Sequence, residues 1–559
     1  MSWKLREKAR KLLAAERGTV FKSPGGKVTV ALIYPNTYHV GMSNLGFLSL
    51  YHYLNVHPFI LCERTFLPDP EDLPEYLRTR TPLFSLESGR PLSSFDVLAF
   101  SLSYENDYPN LLQILELAGV PLRSEERGLN CPLVMAGGIC AFSNPEPLAQ
   151  FVDLFFLGEG EEAFPKVLQL LWQMKGKGEG RGDFLRESTR IEGVYVPHFF
   201  SFSFDQRGEI KAVEAADEAF QPPRRHFLDD LDSHPVSNFI ETPNTELGGM
   251  RLLEIQRGCK RNCRFCLVGR IYSPFRFRSP EVLLQELEMG GLRRVGLVGP
   301  CISDHPQIND FCSELLTRGY SISASSLRPQ SLSPHLLDCL VQSGQRTVTL
   351  APEAASERLR SLLGKDMRDD DLYAAVEEIY RRGISNIRLY FMIGLPSEQE
   401  EEVEAIAQVA KKIKHMLLVS SRERRPLGQI TLSISSFVPK PWTPFQWLEF
   451  EETGRLQQKL GLIKRSLKGA GNIHCLHDLP TWAYKQALLS RGDRRVGELL
   501  LMVHELKGNW RRAFREWNLN PDFFVHRRRS RDEILPWDHL ATGPNKGCLG
   551  AELDRAGLG

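Results

Sequence analysis

The sequence predicts an α/β protein in which a doubly wound, Rossmann-like domain is followed by a partial barrel and then by a mainly helical C-terminal region. Short apolar runs rich in β-branched residues recur, and each is followed by a segment with helical periodicity. They form two separate series along the 559 residues, a length sufficient for about three or four domains. We predict an N-terminal helix over 1–17, the doubly wound domain over 18–174, a flexible linker and connector over 175–245, the barrel over 246–450 and the helical region over 451–559.

The first series predicts a parallel sheet with helices on both faces. An apolar run over 27–34 stops at Pro35, as expected of a buried strand that ends in a loop. In such a sheet, ligands bind at the carboxyl ends of the strands. The glycine-rich, charged segment 175–183 predicts a flexible break after this series. The other predicted strands of the series are 96–103, 133–137 and 153–157.

The second series, which begins at Met250, predicts a partial (β/α)6 barrel. Before it, the connector contains a predicted hairpin formed by 194–204 and 209–213. Barrel chemistry gathers at the C-terminal ends of the strands. The predicted strands lie near 251–256, 294–299, 320–325, 346–351, 386–393 and 429–437, with helices that include 281–290, 368–382 and 398–416.

Composition excludes several classes of protein. Lys and Arg number 70 and Asp and Glu 69, so the net charge of +1 gives no global attraction to nucleic acid or to anionic membranes. No run approaches the roughly 20 apolar residues of a membrane span, and the N-terminus lacks the apolar core of a signal peptide. We therefore expect a cytoplasmic protein without membrane association. Eleven cysteines are too few for a disulfide scaffold.

Three of these cysteines, Cys259, Cys263 and Cys266, form a C-x3-C-x2-C set directly after the first strand of the second series. Thiolates at this spacing on one loop can converge on a metal centre. Zinc usually takes four protein ligands, and no fourth Cys or His follows at finger-like spacing. A [4Fe–4S] cluster held by three thiolates keeps one iron free for another ligand. Three buried or zinc-binding cysteines are the structural alternative.

This cysteine spacing, the aromatic Phe265 before the third cysteine and the position of the loop resemble the radical S-adenosylmethionine (SAM) superfamily. The resemblance implies that the three cysteines hold a [4Fe–4S] cluster whose free iron chelates SAM. One electron, from a donor such as flavodoxin or ferredoxin, then cleaves SAM to a 5′-deoxyadenosyl radical. The residues that the resemblance implies for SAM binding are Phe265, Gly299, Ser303, Asp304, Glu353, Ser356, Arg388 and Gly394.

Several of these residues also have a structural alternative. Glu353 and Ser356 stand where a helix begins, so both suit a helix-start role. Arg388 lies in an apolar strand, where its charge suits either the SAM carboxylate or an internal ion pair. Gly394 suits a Gly-x-Pro turn after that strand. Cys301 suits either a relay role at the site or a small buried residue.

A doubly wound domain before such a barrel resembles the cobalamin (B12) binding domain of many radical SAM enzymes. The D-x-H-x-x-G signature that supplies a histidine ligand is absent here, and His39 in the first loop lacks both the Asp and the Gly. We therefore expect no histidine ligand from that motif. A domain that only packs against the barrel is the alternative. The candidate cobalamin contacts are Asn36, Tyr38, Ser43, Asn44, Gly46, Ser101, Ser103, Gly137, Gly138 and Gly158.

Three functional hypotheses follow from these residues. In the first, a radical SAM enzyme uses cobalamin as a methyl carrier and methylates an unactivated carbon. In the second, the radical enzyme modifies RNA or protein without cobalamin, by methylthiolation or rearrangement. In the third, a metal-stabilised protein binds RNA through the arginines and aromatics of the C-terminal region, such as Arg511 and Trp510. The aromatic segment 435–445 suits either a substrate wall or a plug of the barrel.

Overall fold

The computed structural model describes residues 2–175, 180–217, 220–288, 290–324, 327–420 and 428–559. Of the predicted flexible break over 175–183, residues 176–179 lie outside the described ranges. Within those ranges, no helix combines the length and the apolar character that crossing a membrane requires.

The first series forms a six-stranded sheet with the spatial order β2-β1-β3-β4-β5-β6. Its strands are parallel except β6, which pairs antiparallel with β5. The chain passes from β1 to β2 on one side of β1 and then returns to β3 on its other side. The carboxyl ends of β1 and β3 therefore form the topological switch point. The strands are β1 (Val28–Tyr34), β2 (Ile60–Phe66), β3 (Val97–Ser101), β4 (Leu133–Gly137), β5 (Leu154–Phe156) and β6 (Val194–Tyr195).

Two hydrophobic cores lie on opposite faces of this sheet, as a doubly wound domain requires. One contains Phe47 and Val167 and is closed by the helices that follow β1 and β5. The other contains Leu111 and Phe100 and continues into the barrel. The helices of this part are α1 (Trp3–Ala14), α2 (Tyr38–Gly41), α3 (Leu45–Val56), α4 (Leu73–Thr79), α5 (Tyr108–Ala118), α6 (Ile139–Ser143), α7 (Gly160–Met174) and α8 (Arg181–Ser188).

The connector is more structured than a flexible linker. Helix α8 and strand β6 both lie within 175–245 and belong to the first sheet and its cores. A hairpin forms from β7 (Phe200–Phe204) and β8 (Ile210–Ala215), which pair antiparallel. Its first arm is shorter than the predicted 194–204, because Val194–Tyr195 belongs to the first sheet as β6.

The second series forms seven parallel barrel strands, one more than the six predicted. Three strands form one sheet and four form another, and a parallel bridge between Leu327 and Leu350 joins the two. The added strand, β17, comes from the C-terminal region and pairs with β16. The strands are β9 (Arg251–Glu254), β12 (Arg294–Val298), β13 (Ser321–Ala324), β14 (Thr347–Glu353), β15 (Asn386–Ile393), β16 (Ile430–Ser436) and β17 (Ile473–His477), with the short pair β10 (Gln256–Arg257) and β11 (Arg276–Phe277) after β9.

Alternation along the barrel strands separates an apolar outer face from a polar inner face. Ile387 and Leu389 of β15 are buried in the main core, whereas Arg388 between them is half-buried. Arg388 is in register with Thr349 of β14 and Thr431 of β16, so these side chains share the inner face. The helices around the strands are α9 (Val268–Ile271), α10 (Pro280–Glu288), α11 (Ile308–Thr317), α12 (Pro334–Gln342), α13 (Glu357–Leu362), α14 (Asp369–Arg381) and α15 (Glu400–Ser420).

The C-terminal region is mainly helical and uses several of its arginines internally. Arg491 is fully buried and its side chain donates to the carbonyls of Leu448, Phe524 and Arg527. Arg494 pairs with Glu146 at 2.9 Å and thereby ties this region to the first domain. The helices are α16 (Thr453–Ser466), α17 (Pro480–Arg491), α18 (Val496–Glu505), α19 (Trp510–Glu516), α20 (Asp522–Val525) and α21 (Lys546–Arg555).

Candidate functional site

The cysteine loop starts from a backbone position that only glycine fits. Gly258 has a φ of 78°, and a Cβ added there would lie 2.5 Å from the carbonyl oxygen of Tyr272 and 2.8 Å from that of Pro274. The chain therefore turns sharply from β10 into the loop. At the start of that loop, the backbone N–H of Arg261 donates to the Cys259 Sγ at 3.4 Å.

Two ion pairs brace the loop between its cysteines. Arg261 lies 3.4 Å from Asp304, which follows β12, and Arg264 lies 3.3 Å from Glu552 in α21. Burial alone would raise the pKa of Asp304, but hydrogen bonds from Ser331 and Arg261 hold it below its usual range. The Asp304 carboxylate is thus engaged with the cysteine loop, and its contact with SAM stays a prediction.

The three cysteines of the loop are free and half-buried. Among the described residues, the only set of three or more His, Cys, Asp or Glu ligand atoms within 4.8 Å of one another is that of Asp69, Glu71 and Asp72. Three thiolates on one loop suit a [4Fe–4S] cluster, in which each would bind a different iron and one iron would stay open. Burial raises the pKa of all three thiols, so a bound cluster must supply the charge that keeps them ionised.

Two of the predicted SAM residues lie near the ends of the strands but already have partners. Glu353, at the end of β14, has a φ of 69° and pairs with Lys365 at 2.9 Å. Ser356 caps α13, because its Oγ accepts from the Leu359 N–H at 3.1 Å, and it also donates to Glu402 at 2.5 Å. The helix-start role predicted as the alternative is therefore observed for Ser356.

Arg388 differs from these residues because its charge has no partner among the described residues. None of the ion pairs formed there includes Arg388, and its buried Nε donates no hydrogen bond. The internal ion pair that is its alternative is therefore not formed within the described ranges. Arg388 is an available cation on the inner face of the barrel.

The remaining predicted SAM residues each contact neighbouring parts of the chain, and their SAM contacts stay predictions. Phe265 packs against the main core. The Oγ of Ser303 lies 2.8 Å from that of Ser331. Gly394 has a φ of 78°, and its N–H donates to Glu398. Gly299 lies against the Gln256 side chain and lines a cavity between the first sheet and the cysteine loop.

A cavity of about 560 Å³ lies between the switch point of the first sheet and the cysteine loop. From the barrel side it is lined by Gly258 and Val268, which flank the cysteines, and by Gly299. A cavity of this size lies in the range of cofactor sites. Seven of the ten candidate cobalamin residues line it: Asn44, Gly46, Ser101, Ser103, Gly137, Gly138 and Gly158.

The other three candidates point elsewhere. Asn36 donates to Asp107 at 2.9 Å, and Tyr38 donates to Glu16 at 2.7 Å. The Ser43 hydroxyl donates to the His39 carbonyl. His39 itself is exposed, and no histidine is among the described residues that line the cavity.

A buried charge network, which the sequence analysis missed, joins the two domains at this cavity. Arg257, the residue before Gly258, pairs with Glu161 at 2.9 Å and Glu159 at 3.2 Å from the first domain, and with Glu254 at 2.8 Å from the barrel. Arg276 also pairs with Glu159, at 2.7 Å. The arginines hold the pKa of both Glu159 and Glu254 below the usual range despite burial. In the sequence, the only feature that indicates this network is the acidic segment that follows β5.

The aromatic side chains of segment 435–445 are buried, which favours packing over an exposed substrate wall. Phe437, Trp442 and Phe445 are buried, and the Trp442 indole N–H donates to the Ser143 carbonyl at 2.9 Å. Cys301 is likewise buried, with the Gln256 amide bonded to its carbonyl.

Comparison with known proteins follows the same division of the chain. The family model described as "Radical SAM proteins, N-terminal" matches residues 46–197, and that of the "Radical SAM superfamily" matches residues 253–410. An uncharacterised protein of Methanocaldococcus jannaschii is 30% identical over 480 residues, which is 84% of this chain and 90% of that protein.

Other similar proteins share less of their sequence with this chain, and some align over a smaller part of their own length. The ribosomal protein uS12 methylthiotransferase RimO of Thermodesulfovibrio yellowstonii is 23% identical over 36% of this chain and 52% of its own length. Among solved structures, the radical SAM methyltransferase TsrM of Kitasatospora setae, with cobalamin and a [4Fe–4S] cluster bound, is 15% identical. It aligns with a TM-score of 0.48 over 73% of this chain and 72% of its own.

Proposed function

This chain belongs to the radical SAM superfamily, and from that premise we propose that it is an enzyme that cleaves SAM reductively to a 5′-deoxyadenosyl radical. The observation that carries the proposal is the cysteine loop itself. Cys259, Cys263 and Cys266 lie directly after the first barrel strands, within the residues that match the superfamily, at the C-x3-C-x2-C spacing.

The residues around the loop have distinct roles in this proposal. A [4Fe–4S] cluster held by the three cysteines would supply an open iron for SAM and the electron that cleaves it. Asp304 and Glu552 hold the loop through Arg261 and Arg264. Arg388 supplies a fixed positive charge for the SAM carboxylate. The cysteine loop and Asp304 follow strands at the carboxyl end of the barrel, where barrel chemistry gathers, and Arg388 lies deeper on the inner face.

For the first domain we propose a cobalamin site in the cavity between the two domains. The support is its position at the switch point of a doubly wound sheet, where such sheets bind ligands, and its border with the cysteine loop. Cobalamin would supply a methyl carrier there. The glycines of the lining leave the backbone accessible to the cofactor. Since no histidine is among the described lining residues, they would supply no histidine ligand to the cobalt. The proposed reaction is methyl transfer to an unactivated carbon.

Modification of RNA or protein without cobalamin is the second candidate. It requires the cavity to be a packing defect or a site for another molecule. The RNA-binding hypothesis has less support, because Arg491, Arg494 and Arg527 of the C-terminal region are engaged in contacts within the chain.

The test is anaerobic reconstitution with iron, sulfide and hydroxocobalamin, followed by removal of unbound cofactor. We expect cluster and corrin absorbance together with deoxyadenosine formation from SAM under reduction. Cys259→Ala, Cys263→Ala and Cys266→Ala should each lose cluster iron and SAM cleavage. Cys131→Ala, at a half-buried cysteine outside the loop, is the matched control. Deoxyadenosine without bound corrin would favour the second candidate, and cleavage retained in a loop variant would refute the ligand assignment.

A further inference from the structure

Large apolar side chains are exposed together at the mouth of the barrel. Leu476 lies in β17, and Leu479 and Trp482 follow it, each more than half exposed. Tyr104, from the loop after β3 of the first sheet, is also exposed. The Asn106 amide donates to the Trp482 carbonyl at 3.3 Å, which fixes the Tyr104 loop against α17. Clustered exposure of this kind marks a binding surface more often than scattered surface residues do.

This surface borders the inner face of the barrel. Leu476 is in register with Ser433 of β16, which is in register with Tyr390 of β15. Register partners in a parallel sheet point to the same side, so Leu476 and Tyr390 share the polar inner face that carries Arg388. Tyr390 is 41% exposed although it lies inside the barrel, so the face is open at this end.

A positive charge lies beside the apolar surface. Lys485 is one helical turn after Trp482 in α17, and its Nζ lies 5.6 Å from the Trp482 ring and 5.1 Å from the Trp510 ring. None of the ion pairs formed among the described residues includes Lys485. The surface therefore combines flat aromatic and aliphatic groups with one uncompensated cation.

We propose that Tyr104, Leu476, Leu479, Trp482 and Lys485 form a docking rim for the substrate, and that the substrate is a small molecule with a large flat apolar or aromatic body and an anionic group. The assignment of the bound molecule as substrate rests on the proposed radical function. The body would cover Trp482 and the leucines, and the anion would face Lys485. Within this rim Lys485 is the one cation, whereas a nucleic acid strand would call for several along its backbone.

The test uses the full chain and two fluorescent probes with the same body, pyrene-1-butyrate and the uncharged pyrene-1-butanol. We expect saturable binding of both, with the butyrate bound more tightly. Trp482→Ala should weaken both probes at least tenfold, whereas Trp482→Phe should restore most of the affinity. Lys485→Met should remove the preference for the butyrate and leave the butanol affinity unchanged.

Matched controls are Trp172→Ala, which removes a tryptophan of similar exposure from α7, and Lys11→Met on α1. Equal effects of Trp482→Ala and Trp172→Ala, or no saturable binding, would overturn the rim. Displacement of the probe by a short single-stranded RNA at lower concentration than by free pyrene-1-butyrate would overturn the substrate class. SAM cleavage by the unaltered protein is measured in parallel. Probe binding without SAM cleavage would refute the radical function but not the docking rim. SAM cleavage without probe binding would refute only the docking rim.

Discussion

At the scale of single residues, the polar side chains in and around the barrel differ in whether they already have partners within the described chain. Glu353 is neutralised by Lys365, and Ser356 caps a helix. Arg388 has neither an ion pair nor a hydrogen bond at its buried Nε among the described residues. A buried donor without a partner is costly, so a bound anion would stabilise this side chain.

We expect Arg388→Met to weaken SAM binding to the reconstituted protein. Hydrogen bonds to charged groups are worth about 1.5–3 kcal/mol, which corresponds to roughly a ten- to hundredfold rise in Kd. Isothermal titration calorimetry with SAM measures this Kd. Arg358→Met is the control, because Arg358 is half-exposed and already paired with Glu402. An unchanged Kd in Arg388→Met would show that the SAM carboxylate binds elsewhere.

The cysteine ligand set is predictable from sequence because its spacing is local to one loop. The role of Asp304 is not, because its partner Arg261 is 43 residues away and no pattern in one sequence links them. The same holds for Arg257, whose carboxylate partners come from two domains.

At the scale of elements, the strands that were missed are those whose polar residues hide the pattern. Strand β2 (ILCERTF) contains Glu63 and Arg64 yet is fully buried, because Arg64 pairs with Glu16 and Glu87 and Glu63 accepts from Ser85. Strand β17 (IHCLH) is short and carries two histidines on a partly exposed edge. Strands with continuous or alternating apolar residues, such as β1 and β15, were predicted within one residue.

Gly258→Ala tests whether the turn into the cysteine loop is required. The added Cβ would collide with two carbonyl oxygens, so we expect the loop to shift and cluster iron to fall well below that of the unaltered protein. Iron and sulfide analysis after reconstitution measures this. Gly319→Ala is the matched control, because Gly319 has a φ of 79° but nothing within 4 Å of the added Cβ. It should cost about 1–2 kcal/mol of stability and keep the cluster. Equal iron content in both variants would contradict the steric argument.

Arg257→Met tests the charge network between the domains. Removing one partner of a buried ion pair costs about 3–5 kcal/mol, because the remaining charges stay buried and unpaired. The network holds the pKa of Glu159 and Glu254 below the usual range, so its contribution is present above the usual carboxyl pKa of about 4.3 and is lost as pH falls through the lowered values.

The difference in urea midpoint between Arg257→Met and the unaltered protein should therefore be large at pH 7 and shrink as the pH is lowered below 4. Arg318→Met, at an exposed arginine paired with Glu314, should show no difference at either pH. A difference that grows on acidification would mean that the carboxylates are not the partners that matter.

At the scale of the whole molecule, the cavity exists because the carboxyl edge of the first sheet faces the cysteine loop of the barrel. Sequence could place residues at the ends of strands, which is why seven of the ten candidates line the cavity. It could not show that the single turn of α2 directs Tyr38 toward Glu16, away from the barrel. The relative placement of two domains depends on contacts that are distant in sequence.

Gly46→Phe tests whether cobalamin occupies this cavity. Gly46 is the second residue of α3, lines the cavity and has no clash at its Cβ position, so a benzyl group there would fill the space without straining the backbone. We expect at least a tenfold loss of bound corrin after reconstitution, measured by absorbance. Gly182→Phe, at the second residue of α8 with open space around it, should bind as much corrin as the unaltered protein. Full corrin binding by Gly46→Phe would place the cofactor elsewhere.

The contact between Arg264 and Glu552 also has a consequence for biosynthesis. The two residues are 288 positions apart, so a ribosome releases the cysteine loop long before it makes the helix that braces it. During that interval the thiols belong to a nascent chain without its final support. Delivery of iron and sulfide by the assembly machinery is therefore best timed after synthesis of α21, and a chain truncated before Glu552 should be a poorer recipient.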